Sequence, residues 1–493
     1  MALRSDLLWV LFGRIATALI AIASLRIMTL LLEPKDFGIY TLLLAFQGFC
    51  GLLLINPVGQ HINRHTHAWW DDSTLLTRLV GYNRYLVAVS SGIALVVLGW
   101  WMLYPGTDHS MASALLAALA VSTIVYLGTW NGTFVYILNM LGFRSSSVGW
   151  MLASSIIGLV ISSLFAYEYH TGTSWVLGQA VGLAVGAMGA RFMLRQYQAA
   201  RKLVEFSSHN VPILLDRQTL MAYCLPLAAA TGLMWLQNTG YRFWVGGAWG
   251  AAELGLLAVG LSISAQIWAI IETLSMQFLN PYFFRHITEV QSDTQKSAVL
   301  SDMVNVMWPI YAVLAGFNVV FASSLLTVLT NERYHAAVTF VLFGVLIEFA
   351  RCTGNLWSYA AQIERRTAKY IVPYGIGALI VWLGAVGVSY VHSDIVTMAI
   401  VLAISGLVMC AAMVLVMQRM MPVKLDVRRW LAGSLMLLAC LLSVIYMPVK
   451  ADGIMMNIGL IMVGLVVAGS VMLALLWRNT ALSRLLAVSL RSA

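Results

Sequence analysis

Charged side chains are scarce in this chain. Asp, Glu, Lys and Arg make up 10% of its 493 residues, where a soluble domain carries about a quarter. Cysteine is scarcer still: Cys50, Cys224, Cys352, Cys410 and Cys440 all fall within apolar stretches and form no CxxC pair. That excludes a disulfide framework and leaves them as small buried hydrophobes. There is no GxxxxGK[ST] phosphate loop, so this chain alone cannot hydrolyse ATP, and no HExxH. The histidines are scattered apart from His61, His65 and His67, a cluster that reads as interfacial rather than metal-binding. What fills the sequence instead is apolar, 60% of residues, with a mean hydropathy of +0.84. No fold of this length has interior enough to hide so much apolar surface from water, so a bilayer must be its solvent. A soluble enzyme and a secreted disulfide scaffold are excluded, and so is a nucleic-acid binder, despite the net charge of +9.

Apolar segments long enough to cross about 30 Å of hydrocarbon recur at 7–32, 38–62, 82–104, 111–139, 146–167, 174–194, 219–240, 251–279, 303–329, 335–361, 369–391, 395–417, 430–448 and 455–477. These predict an all-α polytopic membrane protein of about fourteen helices with short loops and no extramembrane domain. The first run is too long for a signal-peptide core and reads as a retained span. With both termini cytoplasmic, inside loops and tails carry 22 of the 29 basic residues, among them Arg78, Arg144, Arg195 and Arg429. Outside loops carry four, Lys35, Arg242, Arg333 and Lys450, and three, Arg14, Arg26 and Arg351, fall within spans. Most of the positive charge is therefore topogenic, as the positive-inside rule requires.

The basic, polar stretch at 196–218 separates an N-terminal six-helix lobe (1–195) from a second (219–418), with two further helices and a tail at 419–493. Asp36-Phe37-Gly38-Ile39 opens the second span and Glu253-Leu254-Gly255-Leu256 the eighth; Arg64-His65 and Arg285-His286 close them. Six spans per half is even, so the halves share an orientation and form parallel repeats, an alternating-access design.

The run Arg26 to Tyr40, with Leu30-Leu31-Leu32-Glu33-Pro34-Lys35-Asp36-Phe37-Gly38-Ile39-Tyr40 at its heart, resembles the first hairpin of Wzx-type polysaccharide flippases. Pro34 is expected to end the first helix, Asp36 to cap the next, and Gly38 to permit tight packing. The second copy lacks the Tyr. The six-plus-six-plus-two architecture is similar to the wider MOP (multidrug/oligosaccharidyl-lipid/polysaccharide) superfamily, which also contains lipid II flippases and multidrug/cation antiporters. The resemblance implies a V-shaped pair of lobes around a central cavity, with the last two helices at their side. It implies an undecaprenyl-pyrophosphate-linked oligosaccharide, an O-antigen or similar repeat unit, as substrate, moved outward across the bacterial cytoplasmic membrane by a monomer without a resident cofactor. Other polysaccharide assembly proteins are the expected partners.

Ionisable groups within spans cost about 2.5–3.5 kcal/mol each on insertion scales, so each asks for a reason. Arg14 and Arg26 on the first helix stand about 18 Å apart. They are candidate contacts for a pyrophosphate, which arginine binds in a bidentate manner; the alternative is that both snorkel to headgroups. Asn56, Gln60, Asn63 and Arg64 form one polar stripe along the inner half of the second span, beside Pro57, which favours a kink. Helix–helix hydrogen bonding is the alternative for the amides, and topogenic charge for Arg64. Ser262, Gln266, Thr273 and Gln277 share a face of the eighth span, with Glu272 to one side. Glu348 and Arg351 sit i, i+3 on the tenth, either a buried ion pair or, with Glu272, the place where transport couples to a proton or cation. Gln237, Asn238, Tyr241 and Arg242 are candidate outer contacts, and Asn131 a further cavity residue. The rival readings are a multidrug/cation antiporter on the same scaffold, which needs a compact acidic cavity, and a membrane-embedded glycan polymerase or acyltransferase, which needs larger outer loops.

Overall fold

In hydrocarbon the backbone's polar groups can be satisfied within a single segment only by a helix. The computed structural model describes residues 2–104, 107, 109–202, 217–289, 292–364, 366–391, 394–446, 452–477 and 479–484, and no strand occurs among them. Thirteen helices among the described residues are long and apolar enough to cross a membrane, and the segment expected as the seventh span, 219–240, is helical too. Most of the expected linker at 196–218, together with Arg365 and Lys450, lies outside the described residues, as do the side chains of Gln277, Arg285 and His286. By contacts the chain divides into two units, Met1–Gly255 and Leu256–Ala493.

The first unit runs α1 (Ala2–Leu31), α2 (Pro34–Phe49), a π-helical segment (Cys50–Ile55), α3 (Asn56–Asp71), α4 (Leu75–Leu103), α5 (Met111–Met140), α6 (Arg144–Tyr169), α7 (Gly172–Lys202), α8 (Arg217–Trp235), a second π-helical segment (Leu236–Gly240) and α9 (Tyr241–Ala248). Helices in lipid approach closely where side chains are small, and α6 and α7 use that rule. A Cβ on Gly178 would overlap Ser162, and one on Gly182 would overlap Gly158. The Ser162 hydroxyl donates to the Trp175 carbonyl at 2.9 Å, and Trp175 is fully buried. Gly13 of α1 rests on Val148 of α6.

Pro34 stands at the first turn of α2 rather than at the end of α1, where its missing N–H is harmless. The N-cap is Glu33, which makes no side-chain capping bond; Asp36 lies inside the first turn, where a carboxylate complements the helix dipole. The turn then packs on the start of α10 (Ala251–Glu289), still within the first unit. A Cβ on Gly38 would overlap the Ala251 carbonyl, and one on Gly255 the Pro34 carbonyl. The two glycines of the repeated Asp36-Phe37-Gly38 and Glu253-Leu254-Gly255 motif thus serve one shared backbone contact.

The second unit takes the rest of α10, then α11 (Asp293–Val320), α12 (Ala322–Leu329), a 3-10 turn (Glu332–Ala337), α13 (Val338–Ile363), another 3-10 turn (Thr367–Tyr370), α14 (Ile371–Tyr390), α15 (Ile395–Met420), α16 (Val427–Tyr446) and α17 (Ile454–Leu476). Helix α11 is its centre, with 78% of its most apolar stretch buried, against 6% for α16 and for α17. Both of those last helices pack on α11, α16 through the stack of Trp308 on Trp430 with ring centroids 3.9 Å apart. Asn305 of α11 holds the connection into α16. Its amide donates to the Lys424 carbonyl (2.8 Å) and its Oδ1 accepts from the Asp426 N–H (2.9 Å).

Candidate functional site

The second span is one long helix, Pro34–Asp71, interrupted by a π turn. Pro57 has no N–H and cannot close the ordinary i→i−4 bond, so the turn before it widens, and the Asn56 N–H reaches back to the Gly51 carbonyl. Carbonyls loosened by such a turn need partners inside a membrane. The Tyr85 hydroxyl of α4 donates to the Leu54 carbonyl at 2.8 Å, and the Thr231 hydroxyl of α8 donates to the Leu52 carbonyl at 2.7 Å. Helix α8 carries the second π turn, directly after Trp235, whose Nε1 donates to the Ala45 carbonyl at 3.0 Å. Two interrupted helices therefore lean on each other in the first unit. Interruptions of this kind are where membrane transporters build sites, because they free backbone groups and redirect side chains.

The residues singled out in the sequence fall at several places in this unit. Asn56 and Asn63 are half-buried, and Gln60 and Arg64 are exposed on α3, with the Gln60 amide turned to Asn56 Oδ1 at 3.4 Å. The stripe is thus exposed at Gln60 and Arg64 and partly covered at Asn56 and Asn63. Arg14 is exposed on α1 and Arg26 half-buried nearer its end. Asn238, in the second π turn, is exposed, while Gln237 beside it is buried. Arg242 is half-buried: its guanidinium donates to the Thr41 carbonyl at 3.3 Å, and its Nε lacks a hydrogen-bond partner. Asn131 sits between helices, its amide donating to the Ser154 hydroxyl at 3.4 Å and its Oδ1 unpartnered against Gly186.

The second unit gathers its own polar centre. Arg351 of α13 donates through Nε to Glu348 at 2.8 Å and through a terminal nitrogen to Glu272 of α10 at 3.0 Å. Asn355, one turn further along α13, donates to the other oxygen of Glu272 at 3.2 Å. The side chains are 29%, 13% and 21% exposed for Arg351, Glu348 and Glu272. Two carboxylates share one guanidinium, so with both ionised the group carries one net negative charge inside a membrane helix pair. Tyr311 of α11 faces the group, its fully buried hydroxyl without a hydrogen-bond partner. Gln266, two turns before Glu272, is half-buried with its Oε1 unpartnered. Among the described residues no group of three or more His, Cys, Asp or Glu could hold a metal ion.

No protein-family model matches the chain, and no curated protein matches it in sequence. Solved structures do. The chain is similar to the lipid II flippase MurJ in an inward closed conformation, with 10% identity and a TM-score of 0.65 over 96% of this chain and 98% of that one. It is also similar to a multidrug resistance MATE family transporter of the MOP superfamily in its outward-facing conformation (13% identity, TM-score 0.52, 87% of this chain and 96% of that one). An inward-facing MATE structure matches with 12% identity and a TM-score of 0.50 over 87% and 94% of the two chains. The chain shares its all-helical fold with these flippase and MATE structures. At this identity the likeness is one of fold, not of shared residues; with the thirteen long apolar helices among the described residues, the chain is a multi-pass membrane protein.

Asn355 was not among the residues expected from the sequence, although Glu348, Arg351 and Asn355 at i, i+3 and i+7 mark one helix face. Nothing in the spacing along the chain links Glu272 to that face, since the two belong to different helices.

Proposed function

We propose that this protein is a flippase that moves an undecaprenyl-pyrophosphate-linked oligosaccharide from the inner to the outer face of a bacterial cytoplasmic membrane by alternating access. One observation carries the reading over its drug-antiporter rival. The likeness to the lipid II flippase spans 96% of this chain, against 87% for the MATE transporters. The basic and amide groups of the first unit suit the same substrate: Arg14 with the stripe Asn56, Gln60, Asn63 and Arg64 captures the pyrophosphate from inside, and Arg26, Asn131, Asn238 and Arg242 lie along its route outward. Glu272, Glu348 and Arg351, with Gln266 nearby, couple the movement to a proton or cation. The sugar repeat is an O-antigen or a related surface glycan, and the protein works as a monomer beside other polysaccharide assembly proteins.

Arg14 tests this directly, because its charge is uncovered and its removal strands no buried partner. Arg14→Ala is expected to cut surface glycan by about tenfold at equal protein level, the order of one charge-assisted phosphate contact. Arg14→Lys should lose less, keeping charge but not the bidentate fork. Full surface glycan in both variants would remove Arg14 from the mechanism.

A further inference from the structure

A second feature of the first unit lies apart from the residues assigned to transport. Helices α3, α4 and α8 enclose a half-open cleft of about 430 Å³, within the size range of small-ligand pockets. Its walls are apolar, including Leu53, Val58, Leu79, Leu225 and Ala228. Leu225 at its lip is 66% exposed. One end differs from the rest. Toward the α3–α4 turn the lining is His61, Trp69 and Arg78, and these form a ladder. His61 stacks near His65 (ring centroids 4.3 Å), His65 lies flat on Trp69 (5.5 Å), and the Arg78 guanidinium sits 5.1 Å over the Trp69 ring. Arg78 spends one N–H on Thr74 at 3.2 Å, and His61 Nε2 is buried with no hydrogen-bond partner. Arg64, one turn beyond His61, is exposed.

A long apolar slot closed by a cationic end matches one class of molecule: a single hydrocarbon chain carrying an anionic head. Basic pockets between helices near the cytoplasmic surface are where such heads lodge. The positive-inside assignment puts the α3–α4 turn on that side. We infer that this cleft is a binding site for an anionic glycerophospholipid of the inner leaflet, with one acyl chain in the slot and its phosphate against His61 and Arg78. The site is separate from the transported glycan lipid and does not depend on the flippase reading.

Gly81 provides a clean block. It lines the cleft, and a Cβ built there meets nothing within 4 Å. Leucine at this position fills the slot without backbone strain and improves helix propensity. The test is native mass spectrometry of the full chain in mild detergent, offered phosphatidylglycerol, phosphatidylcholine with the same acyl chains, or undecaprenyl phosphate. The same samples are also scored for maleimide labelling of Cys224, which lines the cleft.

The expected result is one retained phosphatidylglycerol in preference to phosphatidylcholine, with slower labelling at Cys224. Retention should fall at least about tenfold in Gly81→Leu, the equivalent of two buried methylenes, and Arg78→Gln should erase the headgroup preference. Equal retention of the two phospholipids, unchanged retention in Gly81→Leu, or no change at Cys224 would overturn the inference. So would one-for-one displacement of phosphatidylglycerol by undecaprenyl phosphate in the wild type but not in Gly81→Leu, since that would give the cleft to a polyprenyl lipid.

Discussion

Arg351→Ala is expected to abolish transport and to destabilise the folded chain by about 3–5 kcal/mol, the cost of leaving buried carboxylates without their counter-charge. Glu348 and Glu272 both depend on this one guanidinium, and its loss sets two carboxylates against each other with no positive charge between them, although Asn355 still donates to Glu272. Folded yield by fluorescence-detected size exclusion and thermal unfolding in detergent read the stability. A purely structural ion cluster would behave the same way, so two further variants separate the roles. Glu272→Gln keeps the Arg351–Glu348 bond and an acceptor for Asn355; the protein should fold near normally, while transport loses its dependence on the imposed proton or sodium gradient. The combined Arg351→Met, Glu348→Leu, Glu272→Gln variant removes every charge at similar volume. It should regain stability, because apolar replacement of a buried ion cluster is often neutral or favourable, but not gradient-driven transport. Gradient-dependent transport at wild-type rate in either of these two variants would reduce the cluster to a structural role.

The second large effect concerns two residues with no side chain. Gly38→Val and Gly255→Val are each expected to prevent accumulation of folded protein, because the new Cβ would overlap a backbone carbonyl, of Ala251 in one case and of Pro34 in the other. Overpacking that flexible side chains can absorb costs about 1–3 kcal/mol. Here the obstacle is main chain at both helix starts, which cannot rotate away, and that places the effect among the exceptional ones, above about 4 kcal/mol. Gly59→Ala is the internal control: it lies on α3 in open space, and the gain in helix propensity makes it neutral or stabilising by up to about 1 kcal/mol. Membrane-extracted yield on size exclusion reads all three. Wild-type yield from Gly38→Val would mean that the α2 and α10 starts do not meet.

The all-α membrane fold was legible in the sequence, because a helix of about 20 apolar residues is the commonest solution the bilayer permits and it writes itself into local composition. The repeated Asp36-Phe37-Gly38 and Glu253-Leu254-Gly255 motif was legible as well, but only as a resemblance between two places. That the two glycines touch the same backbone contact is a fact about residues far apart in the chain, which no local pattern carries. Pro57 signalled a break in the second span. The π turns themselves stayed hidden, since an i→i+5 bond adds a single residue to a turn and leaves hydrophobic periodicity almost unchanged. Glu348 with Arg351 could be read from their spacing on one helix, and Asn355 falls on the same face; Glu272, on another helix, joins them only in three dimensions. Arg242 was read from its place at a helix end as a candidate outer contact; that its guanidinium also donates to the Thr41 carbonyl joins two distant segments, which the sequence does not show.

The flippase reading is tested most directly in proteoliposomes that hold the purified chain and an undecaprenyl-pyrophosphate-linked oligosaccharide in both leaflets. A membrane-impermeant glycosidase added outside trims whatever glycan reaches the outer face. Vesicles without protein should stop once the outer leaflet is trimmed. Vesicles with the wild-type chain should continue toward complete trimming without ATP, and Arg14→Ala vesicles should lag behind them. If trimming halts at the outer-leaflet share with intact wild-type protein, while the same vesicles exchange a cationic dye for protons or sodium, the chain is an antiporter and the flippase reading is wrong.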